Sequence, residues 1–170
     1  GKTTLFKAMT GEALASHGSV TFDGRDVTRA PPHIRTRLGM GRTFQVARVF
    51  LPLATLENVV IAIEARNRAI GENARAWWQV RPHSATIDEA MSLLRGVGLD
   101  QKAAMTAADL SHGDRKRLEL AMTLASRPRV LMMDEPTAGM SAADREQVIT
   151  LIREIRAARL AAGETPLTVV

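Results

Sequence analysis

The sequence predicts an α/β protein with a mainly parallel sheet, a small antiparallel β element near the N-terminus and a helical insertion. Three observations predict this class. Helix-like and strand-like segments alternate along the 170 residues, as they do where helices cover a parallel sheet. Val130-Leu131-Met132-Met133 is a continuous apolar run, the pattern of a strand buried on both faces. From Thr55 to Asp109 the pattern is helical and contains no convincing strand.

The elements follow in chain order. Lys2 to Met9 reads as a helix, with Gly11 suited to its left-handed C′ position. Ser19 to Phe22 alternates as a short strand, Asp23-Gly24 is a turn signal, and Val27 ends the hairpin. Pro31-Pro32 opens a short helix that stops near Gly39, and Met40 to Val46 reads as strand then loop. Thr55 is expected to cap a helix whose apolar positions Leu56, Val59, Val60 and Ile63 keep the helical period. Gly71 to Pro82 is irregular and holds both tryptophans, Trp77 and Trp78. Beside Arg75 and Arg81 these suit either a protein contact or a small satellite core. Ser84 starts a helix with Ile87, Met91 and Leu94 on one face and Gly96 near its end. Ser111 starts another, through about Ser126, and with Asp114 forms a predicted capping box. After the Val130 strand, Ser141 and Asp144 form a second box that opens a long helix to Ala162.

Composition narrows the function classes. The chain is 45% hydrophobic and 24% charged, ordinary for one globular domain and too apolar for a disordered one. Its longest apolar stretch, Val59 to Ile63, is far short of the roughly 18 residues of a membrane span. There is no cysteine, which excludes disulfides and thiolate zinc and suits a reducing compartment. Residues 1–85 carry 12 basic and 6 acidic side chains, residues 86–170 carry 11 and 12. A basic first half favours an anionic ligand. Only 4% of residues are aromatic, a poor supply for base stacking, so no nucleic acid is expected. The chain opens on Gly1-Lys2-Thr3-Thr4 without an initiator Met and closes on Leu167-Thr168-Val169-Val170, a strand cut short. It is read as a fragment.

Three motifs carry chemistry. Gly1-Lys2-Thr3-Thr4 matches the last half of a P-loop. There, backbone N–H groups at a helix N-terminus bind phosphate, the lysine neutralises β/γ-phosphates, and the Thr3 hydroxyl binds Mg²⁺. Val130 to Met133 followed by Asp134-Glu135 is a Walker B pattern, delivering carboxylates at the C-terminal end of a buried strand. Asp134 would hold Mg²⁺ and Glu135 would orient or deprotonate the attacking water. Between them lies Leu110-Ser111-His112-Gly113-Asp114, opening a helix.

In this order and at these separations, the motifs resemble those of ATP-binding cassette (ABC) ATPases. The resemblance makes Leu110–Asp114 the signature that closes over the γ-phosphate on a partner subunit, with Ser111 and the Gly113 N–H as its contacts. It makes Gln45, in Gly41-Arg42-Thr43-Phe44-Gln45, the Q-loop glutamine beside Mg²⁺ and water, and Gly139-Met140-Ser141 the D-loop. Three positions depart from the common pattern: His112 and Asp114 stand where glycine and glutamine are usual, and Ser141 where aspartate is. Asp114 is thereby expected to bring negative charge near the γ-phosphate. The switch histidine and the adenine-stacking aromatic fall outside residues 1–170.

The wording GKTTLFKAMTG, GRTFQVARVF, TLENVVIA and LSHGDRKRLE is similar to that of ATPase subunits of branched-chain amino-acid (Liv-type) importers, with urea and short-amide importers closely related. The resemblance implies a truncated ABC ATPase fold on a P-loop NTPase core. Residues 1–46 and 110–170 would form the ATP-binding core, and 47–109 the helical subdomain and connection. It implies ATP and Mg²⁺ as ligands. The expected site is Gly1, Lys2, Thr3, Thr4, Ser111 and Gly113 for nucleotide, Thr3, Gln45 and Asp134 for metal, and Glu135 with Gln45 for catalysis. The expected partners are a second ATPase subunit, membrane permeases and, indirectly, a solute-binding protein. The expected location is the cytoplasmic face of a bacterial inner membrane. Two alternatives stay open: a non-transport ABC ATPase acting on DNA or ribosomes, and an inert fragment.

Overall fold

A computed structural model describes residues 2–43, 47–71, 82–133 and 141–170, without the side chains of Lys2 and Thr3. Helix α1 (Lys2–Thr10) comes first, then a hairpin of β1 (Thr21–Phe22) and β2 (Arg25–Asp26). Helix α2 (Pro32–Arg37), strand β3 (Met40–Arg42) and helices α3 (Thr55–Ile70) and α4 (Ser84–Gly96) follow. Two 3-10 turns, Asp100–Lys102 and Ala107–Asp109, lead to α5 (His112–Ala125), β4 (Val130–Met132), α6 (Ala142–Ala161) and β5 (Thr168–Val169).

The sheet order is β3-β4-β5, all parallel. Met40 pairs with Val130, Arg42 with Met132, and Leu131 with Val169. Side chains alternate across a strand, and β4 uses both faces. Leu131 joins the larger core with Leu120, Leu124, Val148, Leu151 and Leu167 from the α5/α6 side. Met132 turns to the other face and packs with Phe6 of α1 and Met40. The apolar run at Val130 thus serves two cores, as the sequence predicts.

Helix α5 joins the layers. Leu118 and Ala121 share the larger core with Val59 and Ile63 of α3 and with Ala90 and Leu94 of α4. Arg66 ties the same three helices. It donates to both carboxylate oxygens of Glu89 at 2.7 and 2.9 Å and to the Ala125 carbonyl at 2.8 Å. Arg35, only 1% exposed, donates to Ala8, Met9, Thr28 and Ala30 carbonyls at 2.6–2.8 Å. It closes the C-terminal end of α1 onto the loop before α2. Gly11 ends α1 at φ +81°, and a Cβ there would lie 2.9 Å from the Ala30 carbonyl.

Some local expectations differ. Thr55 does not cap α3; Ala54 does, and its N–H donates to Glu57 at 2.8 Å. Thr55 is fully buried, and its hydroxyl donates to the Met105 carbonyl at 2.8 Å. That long-range bond outcompetes a local cap. On α4 the fully packed residues are Thr86, Ala90 and Leu94, with Ile87 and Met91 half-buried. The first strand is Thr21–Phe22, shorter than Ser19 to Phe22. Among the described residues no helix is long and apolar enough to cross a membrane.

Candidate functional site

β3 and β4 run parallel and in register, so residues 43 and 133 leave the same carboxyl edge of the sheet. The Thr43 N–H donates to Met132 at 3.0 Å, and the Met133 N–H to Val170 at 2.9 Å. Ligands of open α/β sheets bind at this edge. The predicted residues Gln45, Asp134 and Glu135 lie just beyond it in sequence and, like Gly1, Trp77 and Trp78, outside the described residues. Lys2 and Thr3 are in the first turn of α1, and Thr4 beside them is exposed.

The best-defined predicted site residues open α5. Ser111 is the N-cap, and its Oγ accepts the Asp114 N–H at 3.1 Å. Ser111 and His112 are exposed and Gly113 is half-buried. The N–H groups of His112 and Gly113 have no hydrogen-bond partner among the described residues. First-turn donors of this kind, at the positive end of a 14-residue helix, form a ready anion site.

Asp114 corrects an expectation. It does not complete a capping box and does not present its charge outward. Its side chain is 5% exposed; Oδ2 accepts from Lys102 Nζ at 2.6 Å, and Oδ1 pairs with Arg117 Nη2. Burial raises its pKa, but hydrogen bonds from Lys102, Ser111 and Arg117 outweigh burial and hold it down at about 2. The cations that neutralise Asp114 remove the expected repulsion toward a phosphate at Ser111 and Gly113.

Several residues that support this turn and its surroundings belong to no motif. Arg117 also donates to the Val97 carbonyl at 3.1 Å and pairs with Asp144 of α6 at 2.8 Å. Glu119 accepts the Arg48 N–H at 3.0 Å, tying α5 to the segment that follows Gln45. Asn58, fully buried on α3, accepts from Phe50 N–H at 2.7 Å and donates to Phe50 and Ala54 carbonyls at 3.1 and 3.0 Å. The available signal was polar residues at core-facing helix positions, such as Asn58 before Val59 and Asp114 three residues from Arg117. Arg115 donates to the Ala107 carbonyl at 3.1 Å, bracing the 3-10 turn before the signature against α5.

Ser141 caps α6 as predicted. Its Oγ accepts the Asp144 N–H at 3.1 Å, and its own N–H and hydroxyl donate to Asp144 Oδ2 at 3.2 and 2.8 Å.

A profile of the ABC transporter family matches residues 1–138. The high-affinity branched-chain amino acid transport ATP-binding protein LivG of Salmonella typhimurium is 32% identical over 158 residues, 92% of this chain and 62% of that protein. A probable LivG of Archaeoglobus fulgidus is 35% identical over 141 residues, 83% of this chain and 54% of that protein. The sulfate/thiosulfate import ATP-binding protein CysA of Bacillus cereus is 33% identical over 156 residues, 91% of this chain and 40% of that protein. Among solved structures, the ADP conformation of an ATP-binding cassette of an ABC transporter superposes with TM-score 0.71 at 26% identity, covering 99% of this chain and 65% of that one. A dimeric cassette in a post-hydrolysis state with ADP and Pi gives TM-score 0.76 at 21% identity, over 100% and 68%. The chain spans about 62% of the length of the LivG relative named first.

Proposed function

The chain belongs to the ABC transporter family, and from that premise we propose that it supplies the nucleotide-binding core of an importer ATPase subunit. The observation that carries the reading is the capped start of α5. Ser111 and the unpartnered N–H groups of His112 and Gly113 are exposed together, with the nearby carboxylate neutralised from behind. This donor set suits a phosphate.

In this reading Gly1 to Thr4 bind the phosphates of ATP, and Lys2 neutralises their β- and γ-oxygens. Thr3, Gln45 and Asp134 would hold Mg²⁺, whose charge would offset the negative charge of the phosphate oxygens. Glu135, with Gln45, orients the attacking water and accepts its proton. Ser111 and Gly113 of one subunit donate to the γ-phosphate held by a second subunit, so two copies enclose two nucleotides head to tail. The residues' task is positioning and charge stabilisation around an in-line attack. Residues 1–46 and 110–170 form the core, and 47–109 the helical segment through which closure reaches membrane permeases. The subunit is peripheral, on the cytoplasmic face of a bacterial inner membrane, and a solute-binding protein acts upstream.

For the solute we infer branched-chain amino acids or a related small amide such as urea. The LivG relatives support this; the CysA relative, at similar identity, is named for sulfate/thiosulfate import. The test is reconstitution of the full-length subunit with the permeases encoded beside it. ATP hydrolysis should rise severalfold when leucine-loaded solute-binding protein is added. Stimulation by sulfate instead would move the solute assignment. Stimulation by DNA or ribosomes, with none by any loaded binding protein, would overturn transport.

A further inference from the structure

The starts of α5 and α6 are built alike. Each has a serine N-cap, Ser111 or Ser141, that accepts the N–H of an aspartate three residues on, Asp114 or Asp144. One guanidinium joins them. Arg117 Nη2 pairs with Asp114 Oδ1, and Nη1 with Asp144 Oδ1 at 2.8 Å. Each aspartate reserves its other oxygen: Asp114 Oδ2 for Lys102 at 2.6 Å, Asp144 Oδ2 for the Ser141 cap at 2.8 Å.

We propose that Asp114 and Asp144 are positioning residues that, through Arg117, lock the signature turn at Ser111 to the start of α6 at Ser141, so that closure on ATP and the setting of the α6 start occur as one event. The inference rests on the proposed ATPase reading and names a device within it.

The junction is built for close approach. Arg117 is 10% exposed and Asp114 5% at their side chains, so the pair is shielded from water and salt. Gly98, at φ +69°, brings the end of α4 against it. A Cβ there would lie 2.5 Å from Gln147 Oε1 and 3.0 Å from Arg117 Nη1. Arg117 also donates to the Val97 carbonyl at 3.1 Å, so a third element fixes the fork. A planar fork with two carboxylates and a carbonyl admits one orientation, whereas an apolar contact would allow sliding. Ser111 touches the proposed phosphate; Ser141 directly follows the segment that bears Asp134 and Glu135 in sequence. Lys102 extends the chain of charges into the 3-10 turn at Asp100–Lys102.

The test uses the full-length subunit with Asp144→Asn, Arg117→Lys and Asp114→Asn, singly, and the Asp114→Asn/Asp144→Asn double variant. Asp144→Asn keeps an acceptor oxygen for the Ser141 cap and turns toward Arg117 a neutral NH2 that cannot accept, which breaks the pair. Three quantities are read: binding of a fluorescent ATP analogue by single subunits, ATP-induced dimerisation in a Glu135→Gln background, and kcat against KM. The expected result for Asp144→Asn is unchanged analogue binding, weakened dimerisation and a kcat lowered about tenfold. The double variant should lose no more than the worse single one, because the two aspartates act through one group. Arg117→Lys, which keeps the charge without the fork, should weaken dimerisation and kcat about as much as Asp144→Asn, because one ammonium cannot hold both carboxylates and the Val97 carbonyl. A lowered melting temperature with wild-type kcat and dimerisation, or fully additive losses, would overturn the lock. Wild-type protein showing neither ATP-induced dimer nor turnover would overturn the ATPase reading and the lock with it.

Discussion

Asp114 sits where a signature motif would place a nucleotide-facing side chain, yet its charge is consumed inside the protein. Its carboxyl is held at about 2, against an ordinary 3.8. A depressed carboxylate stabilises the fold above its unfolded pKa and ceases to do so as pH falls through its folded pKa. Asp114→Asn is therefore expected to cost about 2 kcal/mol at pH 7. That cost should shrink between about pH 4 and pH 2 as the wild type loses the same charge. Urea midpoints of the full-length subunit at pH 7, 4 and 3 check this; a cost constant over that range would remove the charge from the account. Asp114→Gln, which restores a residue common at that position, should not raise turnover, because Lys102 and Arg117 lose their shared partner. A rise in kcat would show the aspartate to be a burden.

At the level of elements, buried polar side chains hold the loops that flank the site. Arg35 donates to four carbonyls from inside the protein, two of them at the end of α1. Arg35→Met should strip the Met9, Thr28 and Ala30 carbonyls of this donor, leave Ala8 with the Gly11 N–H alone, and cost about 3 kcal/mol. Chemical denaturation of the full-length subunit measures it, and a loss below about 1 kcal/mol would mean that water reaches those carbonyls. Asn58 does similar work for residues 50–54: a leucine of similar size would strand the Phe50 N–H, while the Phe50 and Ala54 carbonyls keep the Leu53 and Asn58 N–H groups. Arg35 acts on the last turn of α1 and Asn58 on the segment that follows Gln45, so their loss would reach the proposed nucleotide site through backbone position.

For the whole molecule, the parallel sheet with α1 on one face and α5 and α6 on the other sets residues 43 and 133 at one edge. Helices α3 and α4 lie against α5, where the Val97 carbonyl meets Arg117 and Lys102 Nζ meets Asp114. If two copies enclose nucleotide, Glu135→Gln should bind ATP and accumulate a dimer by light scattering, whereas Lys2→Ala should lose ATP binding and remain monomeric at the same concentration. Full turnover by the Glu135→Gln variant would take the water-activating role from Glu135.

The sequence by itself determined what is decided within a few residues. Ser111 and Ser141 cap their helices because their hydroxyls reach an N–H three residues away. Gly11 ends α1 because its φ of +81° strains any residue with a Cβ. The Val130 run is a strand buried on both faces because nothing in it can face water. The motif order and wording were likewise legible along the chain. Only the tertiary structure decided where the long-range partners go. Thr55 abandons its expected cap for Met105, 50 residues on, and Asp114 gives up its half of a capping box for Lys102 and Arg117. The reason is physical. A local bond in water is worth little, and a buried polar group left unpaired costs more, so the partner that burial supplies wins. Which partner that is depends on how α3, α4, α5 and α6 pack, and no local pattern encodes it.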